Sequence, residues 1–252
     1  MIRTENLTKY FGKTCAVEDL NLDIPEGEVY CFLGPNAAGK TTTIKLLVGL
    51  LRPTKGKVFI GGYDMSGDYM AAKKLIGYIP DFPYLYEKLS GLEFMDFIAG
   101  LYNIGEEISK KISQEYLERF RIWEFRNHLI EDYSHGMRQK LTFAACFLHE
   151  PRVIIVDEPM VGLDPYSAKL IKEILKEKAT KEKVTVFLST HTLSLAEEIA
   201  DRIGIIDRSR LIAEGPIDKL SPDSGIKGKL EEAFLRITEE DGNINKIKDQ
   251  DN

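Results

Sequence analysis

Gly34-Pro35-Asn36-Ala37-Ala38-Gly39-Lys40-Thr41 follows the spacing G-x-x-x-x-G-K-[ST]. Glycines so placed let backbone N–H groups turn inward around an anion, and a helix opening next points its positive end at the same spot. The amides from Asn36 to Thr42 are placed to wrap phosphate oxygens. Lys40 is placed to reach the β and γ oxygens of a triphosphate, and Thr41 to offer its hydroxyl to Mg2+. That chemistry needs a buried strand before the loop and a helix after it. Val29 to Leu33 is a continuous apolar run, and Thr41 to Leu51 has helical spacing that stops before Pro53.

A second set of groups lies at Arg152-Val153-Ile154-Ile155-Val156-Asp157-Glu158-Pro159. The apolar run makes a buried strand, and Asp157 ends it where open α/β sheets bind ligands. From there Asp157 can hold Mg2+ through water. Glu158, one residue on, can accept a proton from water attacking a γ-phosphate. An Asp-Glu pair at a strand end is by itself an ordinary solvated feature; beside a phosphate loop it becomes hydrolytic chemistry.

Two such groups meet only if a sheet brings their strands together. Val17 to Ile24 reads as a strand, Pro25-Glu26-Gly27-Glu28 as a turn, and Val58-Phe59-Ile60 before Gly61-Gly62 as strand and turn. From Tyr84 to about Glu150 strand signals give way to helical periodicity, as in Ile108 to Phe120. Strands return at Val153 to Val156, Val184 to Leu188 and Ile203 to Ile206, with helical patterns at Tyr166 to Thr180 and Leu193 to Asp201. Short apolar strands alternating with helices predict an α/β fold, a mostly parallel sheet covered on both faces and split by a helical insertion.

The chain has 252 residues, 43% hydrophobic and 29% charged, enough to bury a core without disulfide or metal staples. Lys plus Arg number 34 against 40 Asp plus Glu, so the net charge is −6 and no nucleic-acid partner is expected. Cys15, Cys31 and Cys146 are far apart and odd in number, which fits a reducing compartment rather than a disulfide or zinc framework. The histidines are scattered without metal-ligand spacing. The longest apolar run, Leu46 to Leu51, is far below the roughly 18 residues of a bilayer span. The opening MIRTENLTKY lacks the apolar core of a signal peptide, so a soluble chain is expected.

In order and spacing these motifs resemble the nucleotide-binding subunits of ABC transporters, from about Ile2 to Gly215. The resemblance implies a P-loop NTPase with a RecA-like core, an N-terminal antiparallel β region and an inserted helical subdomain. One ATP-binding domain is expected at about 1–220, with its core at about 1–83 and 150–215, the insertion at about 84–149, and a short helical or polar tail at 221–252. Tyr133-Ser134-His135-Gly136-Met137-Arg138-Gln139 resembles the family signature Leu-Ser-Gly-Gly-Gln, keeping the Ser and the second Gly. Ser134, the Gly136 amide and the helix N-terminus then form an anion site, which in the family takes the γ-phosphate held by the opposite subunit; Ser134 doubles as an N-cap. Gly162-Leu163-Asp164-Pro165 resembles the loop that crosses the dimer interface. Ser189-Thr190-His191 resembles the segment whose histidine contacts the γ-phosphate and positions the water. Phe11 matches the aromatic that stacks on adenine, with Tyr10 as the fallback.

Two residues depart from the family pattern. Asp81 follows Ile76-Gly77-Tyr78-Ile79-Pro80 where the family has glutamine. It is either a shorter, anionic contact to Mg2+ or its water, or a surface loop residue. Ala37 stands where the family commonly has glycine. If the position needs positive φ, alanine costs roughly 1–2 kcal/mol, which weakens nucleotide binding up to about tenfold. Phe82-Pro83-Tyr84-Leu85-Tyr86 is rich in aromatics. It is either helical-domain core or, as in the family, part of a groove for a short helix of a membrane subunit.

Residues and resemblance together imply an ATPase using ATP and Mg2+. Glu158, His191 and Lys40 are the expected catalytic residues. Phe11, Gly34, Pro35, Asn36, Ala37, Ala38, Gly39, Lys40, Thr41, Thr42, Ser134 and Gly136 are expected to bind nucleotide, and Thr41, Asp157 and Asp81 the metal. The expected partners are a second copy or a homologous ATPase subunit and a separate transmembrane permease, which places the chain peripherally on the cytoplasmic face of the membrane. The signature, the Gly-Leu-Asp-Pro loop and Leu230-Glu231-Glu232-Ala233-Phe234 resemble export-type cassettes. The alternatives are a soluble ABC-type ATPase, for example in cluster assembly, and a non-enzymatic nucleotide-binding regulator with Glu158 idle.

Overall fold

The computed structural model describes residues 1–160 and 163–217. In chain order its elements are β1 (Ile2–Phe11), β2 (Thr14–Ile24), β3 (Val29–Leu33), α1 (Lys40–Leu47), β4 (Lys55–Ile60), β5 (Tyr63–Asp64), α2 (Tyr69–Lys74) and β6 (Ile76–Ile79). Then come α3 (Gly91–Leu101), α4 (Glu106–Arg119), α5 (His135–Phe147), β7 (Val153–Asp157), α6 (Pro165–Glu182), β8 (Thr185–Thr190), α7 (Leu193–Ile199), β9 (Arg202–Asp207) and β10 (Arg210–Pro216).

Six strands run in the order β10-β9-β3-β8-β7-β6, parallel from β9 to β6, with β10 antiparallel at the edge. Four others form an antiparallel sheet, β2-β1-β4-β5. Every residue of β3 and β7 is buried because both faces of the parallel sheet are covered. Alternating side chains divide the core. Val29, Cys31, Leu33, Ile154 and Val156 pack with Leu141, Ile171, Leu175 and Ala196 from α5, α6 and α7. Tyr30, Phe32, Val153 and Ile155 pack with Ile44 and Leu47 of α1 and with Leu20 and Ile24 of the antiparallel sheet.

The α/β class is observed, and the departures are local. Periodicity left Ile2–Phe11 unassigned, yet it forms β1. Asn6 at φ 47 breaks the alternation, and the register shifts between Thr4 and Leu7. The first core helix starts at Lys40 and ends at Leu47, earlier than its apolar spacing suggests, because Gly49 takes φ 71 just beyond it. Between 91 and 147 lie α3, α4, α5 and two short 3-10 turns, Trp123–Phe125 and Ile130–Asp132. The expected tail at 221–252, with Leu230–Phe234, and Gly162 of the interface loop lie outside the described residues. Among the described residues no helix is long and apolar enough to cross a membrane.

Candidate nucleotide site

Parallel strands place their carboxyl ends at one edge. Leu33 pairs with Thr190 and Asp157 with Ser189, so the loop after β3, the carboxylates ending β7 and His191 after β8 converge there. Close approach explains two of the loop's glycines. A Cβ at Gly34 would lie 2.2 Å from the Ile206 carbonyl oxygen. One at Gly39, where φ is 114, would lie 2.4 Å from that of Ala16. Gly39 precedes the first turn of α1, which leaves the Lys40, Thr41 and Thr42 amides without intrahelical acceptors. Ala37 adopts φ 66, so the positive φ is real and an L side chain bears it. Pro35, Asn36 and Ala37 are exposed, while Ala38 is buried under the loop.

Lys40 is buried and donates from Nζ to the carbonyls of Gly34 at 2.7 Å and Pro35 at 3.0 Å. Burial pulls its pKa down, and the Glu158 and Asp157 carboxylates oppose the shift. Glu158 Oε1 lies 3.8 Å from Lys40 Nζ and 2.9 Å from His191 Nδ1. Glu158 itself sits at φ 48, a sharp left-handed residue directly after β7.

Asp157 is buried, and burial raises its pKa. The Ser189 and Thr41 hydroxyls pull it back, while the Asp81 and Glu158 charges add to the rise. Ser189 Oγ donates to Oδ1 at 2.5 Å, whereas Oδ2 has no hydrogen-bond partner among the described residues. A buried carboxylate oxygen left alone is costly and suits a cation. Mg2+ fits this donor set, since a carboxylate and a hydroxyl are the hard oxygen donors that ion takes. Among the described residues no three His, Cys, Asp or Glu side chains gather into a metal centre. Asp81 is exposed, and its Oδ1 accepts the Phe82 N–H at 2.9 Å. It reaches Asp157 through its charge.

Ser134 caps α5, its Oγ accepting the Met137 N–H at 3.3 Å, and Gly136 lies in the first turn. Among the described residues no hydrogen bond or ion pair joins either to the phosphate loop. Tyr133, which replaces the family's leucine, donates its hydroxyl to the Phe125 carbonyl at 2.8 Å. Gly91 makes room for it: a Cβ there would stand 2.3 Å from that hydroxyl. Phe11 ends β1 with 49% of its surface exposed and Lys9 Nζ 5.2 Å from its ring centroid, and Tyr10 is 39% exposed. Asp164 caps α6 by accepting the Ser167 N–H at 3.0 Å. Ser189 had no role assigned from sequence; its position opposite Asp157 is a matter of strand register, which no local signal encodes.

Phe82, Tyr84 and Tyr86 expose 54%, 80% and 60% of their surfaces, which argues against the core alternative for that segment. Beside them a cleft of about 350 Å3 is lined by Tyr84, Leu85, Phe94, Ile98 and His149.

Residues 17–161 match the family model described as ABC transporter. The chain is 37% identical over 220 residues to the bacitracin transport ATP-binding protein BcrA of Enterococcus faecalis, covering 87% of this chain and 70% of that one. The chain belongs to the ABC transporter family. It is also 34% identical over 224 residues to the daunorubicin resistance ATP-binding protein DrrA3 of Streptomyces coeruleorubidus, covering 89% and 71% of the two. Its fold superposes on a solved ATP-binding subunit of an ABC transporter with TM-score 0.87 at 30% identity, over 94% of this chain and 99% of that one. A dimeric ATP-binding cassette in a post-hydrolysis state with ADP and Pi gives 0.79 at 26% identity, over 86% and 99%. This ABC subunit binds and hydrolyses ATP, pairs with a second cassette and powers transport by a membrane component.

Proposed function

We propose that two copies of this chain, or one copy and a homologous subunit, face head to tail around two Mg·ATP. Each triphosphate lies between the phosphate loop of one subunit and Ser134 and Gly136 of the other. The observation that carries this is the division of the site: Lys40, Asp157, Glu158 and His191 converge at one sheet edge, while the signature is a capped helix start with no bond to them among the described residues.

On these assignments the amides of 36–42 and Lys40 hold the β and γ phosphates, and Phe11 stacks on adenine. The Thr41 hydroxyl and Asp157, with Asp81 beside them, would hold Mg2+, which would supply positive charge against the β and γ phosphates. Glu158 takes a proton from the attacking water as its oxygen bonds to the γ-phosphorus. The bond from that phosphorus to the bridging oxygen breaks, and ADP leaves with the electron pair. His191, 2.9 Å from the Glu158 carboxylate, keeps water and γ-phosphate aligned.

The closing motion passes to a separate transmembrane permease, a short helix of which occupies the cleft beside Tyr84 and Leu85. The exposure of Phe82, Tyr84 and Tyr86 supports that docking. The subunit then sits on the cytoplasmic face of the membrane. Export is the direction supported by the signature, by the Gly-Leu-Asp-Pro loop and by similarity to a daunorubicin resistance protein. Transport and resistance relatives favour this over a soluble cluster-assembly ATPase. ATPase rate per chain, measured over a range of protein concentrations with and without the permease in nanodiscs, should rise with both. A rate indifferent to both refutes the shared-site reading.

A further inference from the structure

We infer that Ser189 is a positioning residue: it fixes which oxygen of Asp157 faces the metal and holds the backbone from which Glu158 projects. This rests on the assignment of Asp157 as a metal ligand above. Ser189 is fully buried in β8 and directly opposite Asp157 in the parallel pairing. Its one proton goes to Asp157 Oδ1 at 2.5 Å. Ser189 Oγ in turn accepts the Glu158 N–H at 3.3 Å, and the Ser189 carbonyl shares that N–H, also at 3.3 Å. One residue therefore grips both acidic neighbours.

Each grip has a chemical consequence. Tied through Oδ1, the Asp157 carboxylate cannot rotate freely, and Oδ2, partnerless among the described residues, becomes the fixed face left for a cation. Tied at its amide, Glu158 is held at φ 48, from where its Oε1 meets His191 at 2.9 Å and Lys40 at 3.8 Å. A fully buried strand position is ordinarily best filled by valine or isoleucine, and neither can make these bonds. A hydroxyl here adds nothing to apolar packing and is explained by what it holds.

The test is the gain in affinity that Mg2+ gives the full chain for N-methylanthraniloyl-ATP, read by fluorescence against the same titration in EDTA. Ser189→Ala should cut that gain by about tenfold, the consequence of losing one hydrogen bond to a charged group, and leave the affinity in EDTA unchanged. Asp157→Asn should abolish the gain, and adding Ser189→Ala to it should change nothing further. If Asp157→Asn keeps the gain, the metal assignment fails and takes this inference with it. If Asp157→Asn loses the gain while Ser189→Ala keeps it, the role of Ser189 alone is overturned. Equal losses with and without Mg2+ in Ser189→Ala would show a merely structural serine and overturn it too. Should Ser189→Ala fail to fold by circular dichroism, the near-isosteric Ser189→Cys carries the same outcomes.

Discussion

Replacing Gly91 with alanine measures how firmly the signature's Tyr133 is locked to the start of α3. Gly91 follows Ser90, whose side chain and Glu93 form a capping box. Its backbone is not in the left-handed region, so alanine is conformationally allowed and should gain about 0.5–1 kcal/mol by restricting the unfolded chain. Against that, the new Cβ would lie 2.3 Å from the Tyr133 hydroxyl and 3.2 Å from its Cζ. The ring has nowhere to go: Tyr133 is 4% exposed and its hydroxyl is anchored on the Phe125 carbonyl at 2.8 Å. Overpacking of this kind costs about 1–3 kcal/mol, so the net expectation is a loss of up to about 2.5 kcal/mol. Tyr133→Phe alone should cost about 0.5–1.5 kcal/mol for the lost hydrogen bond. It also removes the atom that clashes, so the double variant should be no less stable than Tyr133→Phe alone, a coupling of about 1–3 kcal/mol. Urea unfolding followed by circular dichroism reads all four proteins. Because Tyr133 adjoins Ser134, ATPase activity should drop in Gly91→Ala and recover toward the Tyr133→Phe level in the double variant. Stabilities that add to within about 0.5 kcal/mol would refute the lock.

Glu158→Gln should slow phosphate release by about 10²–10⁴-fold while calorimetry still shows ATP binding; normal turnover would strip Glu158 of its catalytic role. Lys40→Ala should weaken nucleotide binding itself, and unchanged affinity would contradict the phosphate-loop assignment. Tyr84→Asp, at a side chain 80% exposed, should stay within about 0.5 kcal/mol of the parent in urea yet co-purify poorly with the permease. An unfolded Tyr84→Asp would instead make the aromatic segment part of the core. His149 is held neutral by burial, with Nε2 on the Ile76 carbonyl at 3.0 Å and its ring stacked on Tyr102. Its folded pKa lies below the ordinary value of about 6.5, so the unfolded chain protonates first and stability falls as pH drops below about 6.5. His149→Gln should flatten that decline in urea midpoints between about pH 7 and 5, and parallel curves would exclude it.

The phosphate loop was legible residue by residue because its chemistry is local. Backbone amides, a left-handed turn and a helix start all lie within one short segment, and each leaves a mark in residue type. The strain at Ala37 was implied by the resemblance, since the family commonly has glycine there, and its φ of 66 is the positive value that glycine would suit. Asp157 and Glu158 were visible because an apolar run must end somewhere, and the residues at its end face the ligand edge of the sheet. β1 was not marked by periodicity, because the bulge at Asn6 destroys the alternation on which strand detection depends; only the resemblance, through its N-terminal antiparallel β region, implied it. What tertiary structure alone decided are the partnerships: Ser189 with Asp157, Tyr133 with Gly91, and which aromatics of 82–86 stand in solvent. Periodicity records which side of an element is buried, a property of each residue and its neighbours in the chain. Which strand lies beside which, and in what register, comes from packing between segments far apart in sequence, as when β6 closes on β7 across the whole helical insertion.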